Sequence, residues 1–239
     1  MGILLAKVEG GRLIIVSGAS GGIGRAVLPG LADLDRVIGL YNNKLPPLQK
    51  NTRIKVEKVN LMDEKEIRIF VDKNRRELER ITIVHFAAKS VDKLAVHCEV
   101  SDWNDVMNIN LRGNFLLSRS LIPLMIRQRW GRIIHISSVV GMAGIPGTVA
   151  YATSKTGLIG LSRVLAKEYA RFNITSNVLC LGYFEVGLIE TLNGKTRQKI
   201  LSQIPSRQLG KIASISNSVR WLIDSDYVNG AVINIDGGI

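Results

Sequence analysis

An α/β fold on a parallel sheet is what this 239-residue chain predicts, and three observations carry the expectation. Short β-branched runs alternate with longer stretches of helical period, the sequence form of repeated βαβ units. A glycine-rich turn joins the first strand run to the first helical stretch. Composition is ordinary for a globular protein, 46% hydrophobic and 22% charged, with length enough for a sizeable core.

The strand runs are 13–17, 37–41, 54–61, 81–86, 132–137, 175–181 and 231–235, which makes a seven-stranded sheet flanked by helices. The clearest helices are 64–78, 103–127 and 152–172; in the last, Leu158, Leu161, Leu165 and Tyr169 recur at helical spacing. The first helix starts near Gly22, and Pro29-Gly30 in its second turn predicts a kink or early break, because proline removes an amide donor and crowds the preceding turn. Pro46 and Pro47 make 43–51 a loop. Much of 185–210 is predicted as loop too, since Gly187, Gly194 and Pro205 break its helical pattern; its place after the sixth strand makes it a candidate lid. No internal repeat or low-complexity linker interrupts the series, so 1–239 is expected to be a single domain.

The longest apolar stretches stop well short of the ~20 residues that span a bilayer. Residues 1–11 carry Lys7 and Glu9 but no apolar segment followed by a small-residue cleavage site, so a cytoplasmic location without membrane attachment is expected. Cys98 and Cys180 form no disulfide framework, and neither has metal-ligand spacing, so no metal site is expected. Net charge is +12, which favours anionic partners. The basic residues, among them Lys44, Arg75, Arg127 and Arg197, are dispersed and form no nucleic-acid arm, so no nucleic-acid partner is expected.

Two constellations carry chemistry. Ser17-Gly18-Ala19-Ser20-Gly21-Gly22-Ile23-Gly24 leaves a strand and opens a helix. Glycines 18, 22 and 24 let the backbone turn tightly and approach a pyrophosphate at the helix N-terminus. The plainer alternative is that they merely shape a βα turn. An acid at the end of the second strand would hold a ribose 2′-hydroxyl and repel a 2′-phosphate. Residues 37–50 contain no Asp or Glu, while Tyr41, Asn42, Asn43 and Lys44 offer donors and a positive charge there, which favours NADP(H) over NAD(H). In the second constellation Tyr151 and Lys155 are four apart on one helical face, with Ser138 thirteen residues before the tyrosine. A free tyrosine is a poor acid near neutrality; a nearby ammonium favours the phenolate and brings the proton-transfer pKa toward the working pH. Ser138 would donate to a carbonyl oxygen as charge develops on it.

With these motifs, Asn108-Ile109-Asn110-Leu111, Ile136-Ser137-Ser138-Val139-Val140-Gly141, Tyr151-Ala152-Thr153-Ser154-Lys155 and Asp236-Gly237-Gly238, the chain resembles the short-chain dehydrogenase/reductase family over nearly its whole length. Trp103-Asn104-Asp105, Gly131-Arg132-Ile133-Ile134 and Gly157-Leu158-Ile159-Gly160 place the resemblance closest to its beta-ketoacyl-[acyl-carrier-protein] reductase branch. The resemblance implies a doubly wound Rossmann fold. It implies that Tyr151 gives the proton, Lys155 lowers its pKa and holds the nicotinamide ribose, Ser138 orients the carbonyl, and Asn110 holds a water in the proton relay. Cofactor contacts are implied at Gly18, Ser20, Gly21, Gly22, Ile23, Gly24, Tyr41, Asn42, Asn60, Leu61, Ala87, Tyr151, Lys155, Gly182 and Phe184. A homotetramer is implied as well.

Departures from the family pattern are His85-Phe86-Ala87-Ala88 for Asn-Asn-Ala-Gly, Asn60 for Asp, Leu181-Gly182 for Pro-Gly, Val186 for Thr, and Gly21 where NADP-using relatives often carry Arg. The first predicts an altered turn. His85 is expected to be a hydrogen-bonded, neutral replacement for the asparagine; His97 and His135 show no partner in sequence, and Trp130 and Trp221 are expected in packing. The expected reaction is NADP-dependent reduction of a 3-oxoacyl thioester, carried on acyl carrier protein or an acyl-CoA-like thioester, to the 3-hydroxyacyl product. Arg129 and Arg171 lie where carrier-docking arginines are implied, with Phe172 at one family Arg position. The alternatives are the same chemistry on a sugar, steroid or polyketide ketone, and a non-catalytic cofactor-binding subunit.

Overall fold

The computed structural model of the protein describes residues 11–47, 51–187, 189 and 194–239. The segment 1–10, and parts of the 43–51 loop and of 185–210, therefore lie outside the described residues.

Seven strands, β1 (Leu13–Ser17), β2 (Arg36–Tyr41), β3 (Ile54–Lys58), β4 (Ile81–His85), β5 (Gly131–Ser138), β6 (Ile174–Leu181) and β7 (Val232–Ile235), form one sheet in the order β3-β2-β1-β4-β5-β6-β7. Every pairing is parallel. The chain winds outward from β1 to β3, then crosses back to β4 on the other side of β1, so the winding reverses between β1 and β4. Ligands of such sheets bind at the carboxyl ends of the strands at that switch point.

The strands alternate their side chains between two cores. Leu13 and Ile15 of β1 pack with Ile83, Ile133, Ile67 and Phe70 of helix α2 (Glu64–Asn74), and Leu117 and Leu121 of α4 (Gly113–Gln128). Ile14 and Val16 face the other way, onto Val27, Leu28 and Leu31 of α1 (Gly22–Ala32) and Ile215, Val219 and Leu222 of α8 (Ile212–Asp224). Burial on both faces explains why the strand runs are continuously apolar. The remaining helices are α3 (Val100–Met107), α5 (Val139–Ala143), α6 (Val149–Tyr169) and α7 (Gly194–Gln203). Among the described residues no helix is long and apolar enough to cross a membrane.

Several expected boundaries are corrected. The run 54–61 stops as a strand at Lys58, because Asn60 opens a turn with its own side chain. The predicted helix 64–78 ends at Asn74, whose amide returns to the Phe70 carbonyl (2.9 Å). Pro29 does not break α1: it sits in the last turn, and Gly30 lets α1 lie against α8, where a Cβ would stand 2.7 Å from Ser216 Oγ. The stretch 103–127 is no single α-helix; α3 and α4 are joined by a π-turn at Asn108–Arg112, and α4 accommodates Pro123. The stretch 152–172 begins earlier, at Val149, and ends in a 3-10 turn at Ala170–Phe172. Within 185–210, Gly194 begins α7 rather than breaking a helix. Trp130 is a packing residue, buried with the Arg80 and Arg132 guanidinium groups 5.1 and 4.7 Å from its ring, whereas Trp221 is 47% exposed.

Leu117→Ala is expected to cost about 2–5 kcal/mol, the range for emptying a fully buried leucine site, read as a lower urea midpoint at unchanged slope.

Candidate active site

The carboxyl ends of β1, β4 and β5 and the start of α6 bring the expected site residues to one edge of the sheet. At β1, Gly18 has φ +73°, and a Cβ there would lie 2.5 Å from the Ala87 amide nitrogen. Only glycine allows the turn after β1 to touch the turn after β4 in this way. A Cβ at Gly24 would collide with the Gly18 carbonyl, and one at Gly22 would stand 2.6 Å from Gly187 Cα. Gly21 caps α1 without a side-chain bond, so the first amides of the helix have no intrahelical acceptor and point outward. The cradle of bare backbone and free amide donors fits a pyrophosphate. Ser20 and Ile23, in the same turn, are half-buried.

Tyr41 ends β2 half-buried, and Asn42, Asn43 and Lys44 follow it exposed, with no acid among the described residues 37–47. Asn60 accepts from the Met62 amide (3.1 Å) and its own amide donates to Glu66 (2.7 Å), so its side-chain oxygen is committed to a turn; Leu61 beside it is buried. The Ala87 amide donates to Ser17 Oγ (3.3 Å). The turn accepts Ala88 in place of glycine because no residue from Phe86 to Lys89 has positive φ. On the other flank, a Cβ at Gly182 would lie 2.7 Å from Asp236 Cα, and Phe184 is turned inward, its ring against Gly210. Val186 is half-buried.

Ser138 ends β5 and caps α5, accepting from the Val140 amide (3.2 Å). It also acts on the Tyr151 phenol, favouring the phenolate against the effect of burial. One turn along α6, the Lys155 ammonium lies 5.6 Å from the Tyr151 ring centre and donates to the Ile136 carbonyl (2.7 Å). Lys155 is 2% exposed, and burial pulls its pKa down to about 8. The Tyr151 phenol is pushed above its ordinary value by burial, with the Ser138 hydrogen bond opposing. The sequence leads to the expectation that the ammonium lowers the phenol's pKa; in the structure burial raises it instead, and the ammonium is directed at a carbonyl.

Asn110 is fully buried in the π-turn, a deviation that often marks functional sites. Its side chain accepts from the Lys89 amide (2.8 Å) and donates to the Lys89 carbonyl and to Ser154 Oγ (2.9 Å each). Ser154 Oγ donates to the Tyr151 carbonyl (2.7 Å), and Asn114 donates to the Asn110 carbonyl (2.8 Å).

His85 is buried and neutral: burial, with the nearby His135 and Lys155, holds its pKa well below the ordinary value, and Nε2 bonds Ser118 Oγ at 3.0 Å. His135 has partners that sequence did not reveal. It stacks on His85, with ring centres 5.1 Å apart, and its Nδ1 meets Asn114 Oδ1 at 3.1 Å; burial lowers its pKa to about 3. Asn114, Ser118, Lys89 and Ser154 were likewise missed, because pairings across 21 to 44 positions leave no local pattern. His97 is exposed. Cys180 is fully buried, its thiol raised to about 11, and among the described residues no group of three His, Cys, Asp or Glu could hold a metal.

A family model described as short chain dehydrogenase matches residues 12–197. The chain is 36% identical over 237 residues to Nodulation protein G of Rhizobium sp. (strain N33), covering 96% of this chain and 97% of that protein. It is 35% identical over 240 residues to the 3-oxoacyl-[acyl-carrier-protein] reductase FabG of Thermotoga maritima, covering 96% and 98%. The protein of that name from Escherichia coli is 35% identical over 237 residues, covering 96% and 97%.

Between about 8 and the ordinary 10.5 the unfolded chain binds more protons at Lys155 than the folded one, so this group makes stability rise with pH across that window. Lys155→Met is therefore expected to gain most, relative to wild type, at pH 7, and the gap in urea unfolding free energy should narrow as pH rises from about 8 to 10.

Proposed function

The chain belongs to the short chain dehydrogenase family, oxidoreductases that use a nicotinamide cofactor, and we propose that within it the protein is an NADP(H)-dependent reductase of 3-oxoacyl thioesters. The observation that carries this is the placement of Tyr151 on α6 beside the buried Lys155 ammonium, with Ser138 at the end of β5 acting on the phenol, at the carboxyl end of the sheet. A ketone oxygen seated between Ser138 and Tyr151 receives hydrogen bonds from both hydroxyls. Tyr151 gives up its proton to that oxygen as its negative charge grows; burial keeps the phenol protonated at neutral pH but makes it the weaker acid, so the transfer depends on the charge growing on the oxygen and on the neighbouring ammonium. Lys155 stabilises the phenolate left behind. The bound cofactor supplies the hydride that the carbonyl carbon accepts, and the product is the 3-hydroxyacyl thioester. The Asn110 amide is spent on Lys89 and Ser154, so its part in a proton relay runs through its backbone carbonyl, which Asn114 also engages.

The glycine turn and the outward amides of α1 hold the pyrophosphate, with Ser20, Gly21 and Ile23 in that turn. Tyr41 and Asn42 flank the adenosine ribose, Asn60 and Leu61 the adenine, and Ala87, Gly182 and Phe184 line the crevice with their backbones. NADP(H) is preferred because Lys44 and the acid-free end of β2 welcome a 2′-phosphate that an Asp or Glu would repel. The acyl tail takes the apolar groove formed by Leu94, Ala95, Ile145, Pro146 and Val149 at the start of α6. Names carried by two relatives support the thioester substrate.

Arg129 and Arg171 meet on the surface, Arg129 donating to the Arg171 carbonyl (3.4 Å). They precede β5 and β6, and the eight residues of β5 put them on the order of 25 Å from Tyr151. An acidic carrier protein is proposed to dock on these arginines, in a protein that assembles as a homotetramer.

With acetoacetyl-CoA as the thioester, NADPH is expected to be oxidised faster than NADH, and Tyr151→Phe is expected to lose about 10²–10⁴-fold in kcat. A wild-type rate from Tyr151→Phe would contradict the assignment. Activity on sugar or steroid ketones but not the thioester would move the substrate class, and no turnover with any ketone would favour a cofactor-binding subunit.

A further inference from the structure

Behind the site, buried polar groups form one directed hydrogen-bond chain that ends on the helix of Tyr151. It can be followed from groups that have no choice of role. The Asn110 carbonyl can only accept, so Asn114 turns Nδ2 toward it (2.8 Å), which leaves Oδ1 facing His135 Nδ1 (3.1 Å). An amide oxygen can only accept, so the His135 proton sits on Nδ1. At the next link the Lys89 backbone fixes the Asn110 amide in the same manner: its N–H donates to Oδ1 (2.8 Å) and its carbonyl takes Nδ2 (2.9 Å). Asn110 Nδ2 also reaches Ser154 Oγ (2.9 Å), and the serine hydroxyl then donates to the Tyr151 carbonyl (2.7 Å).

His135, Asn114, Asn110 and Ser154 are each at most 1% exposed, so a broken link would leave a partner unsatisfied, with no water to replace it. His135 Nε2 is left without a partner among the described residues, and with the proton on Nδ1 it is a bare lone pair, a lesser cost than a buried N–H. His85, the register partner of His135 on β4, stacks on one face of the ring with 4° between the planes and is itself tied to Ser118 of α4. The stack keeps the His135 ring plane aimed at Asn114.

We infer that His135, as its neutral Nδ1–H tautomer, is a positioning residue for Tyr151: through Asn114, Asn110 and Ser154 it fixes where α6 presents the phenol beside Ser138 and Lys155. The kinetic consequence rests on Tyr151 being the proton donor; the tautomer and the placement of the phenol do not.

The test compares the wild type with His135→Leu, which fills the site without a donor, and His135→Asn, whose amide nitrogen can donate to Asn114. Three quantities are read: kcat and KM with acetoacetyl-CoA and NADPH, the Tyr151 phenol titration by ultraviolet difference against Tyr151→Phe, and the ring nitrogen shifts of His135. The expectation is a kcat about 10- to 100-fold lower in H135L at little-changed KM, a displaced phenol titration in that variant, and recovery of both to within about threefold or a few tenths of a pH unit in H135N. The wild-type His135 should show the Nδ1–H tautomer without titrating between about pH 5 and 9. A folded H135L with wild-type kcat and phenol titration, an H135N as impaired as H135L, or an Nε2–H tautomer would each overturn the inference. If H135L does not fold, H135N and the wild-type tautomer decide it. If the wild type reduces no ketone, the proposed activity fails, while the phenol titration and the tautomer still judge the positioning role.

Discussion

A lysine with 2% of its surface exposed must have its ammonium held by something other than water, and for Lys155 that is the Ile136 carbonyl at 2.7 Å. Much of the site follows from this attachment. It ties the end of β5 to the middle of α6, and two further contacts repeat the tie: Ser137 Oγ donates to the Lys155 carbonyl (3.0 Å), and Gly141 lets α5 approach so closely that a Cβ would stand 2.9 Å from Lys155 Cβ. With β5 and α6 locked together, Ser138 at the strand end and Tyr151 one turn before Lys155 have little freedom to separate. Burial that costs the lysine part of its basicity also holds the phenol protonated, so one dry environment sets both groups.

The parallel sheet supplies the second constraint. Its order reverses between β1 and β4, and the turns leaving those strands touch, Gly18 against Ala87. The cofactor cradle and the reacting hydroxyls therefore share one edge without any long loop being needed to bring them together. The apolar groove of Leu94, Ile145 and Pro146 is lined also by Val149 and Ala152 of the first α6 turn, on either side of Tyr151 in the chain.

Fold class, strand count and the positions of Ser138, Tyr151, Lys155 and the glycine turn were legible because each is a local pattern: a continuous apolar run, a four-residue helical spacing, glycines after a strand. What was illegible is tertiary. Pro29 looked like a helix breaker, but its helix lies on α8 through Gly30, and packing outweighs one lost hydrogen bond. The π-turn at Asn108–Arg112 lies inside a stretch whose sequence reads as helix throughout, so periodicity does not mark it. The direction of the phenol's shift was not legible because sequence shows the spacing of two side chains but neither the carbonyl that claims the lysine nor the burial that raises the phenol. His135 gave no sign of its role, since Asn114 lies 21 positions away on another element. His85 was legible as a neutral, bonded replacement for asparagine; its stacking on His135 became visible only in the strand register.

The most direct test of the account is to follow the hydride itself. NADPH deuterated at the nicotinamide C4 position that reacts should deliver its label to C3 of the 3-hydroxybutyryl-CoA formed from acetoacetyl-CoA, as read by mass spectrometry of the product. One deuterium per product molecule is expected at C3. Product formed without label, or label lost to water while the ketone remains intact, would contradict it.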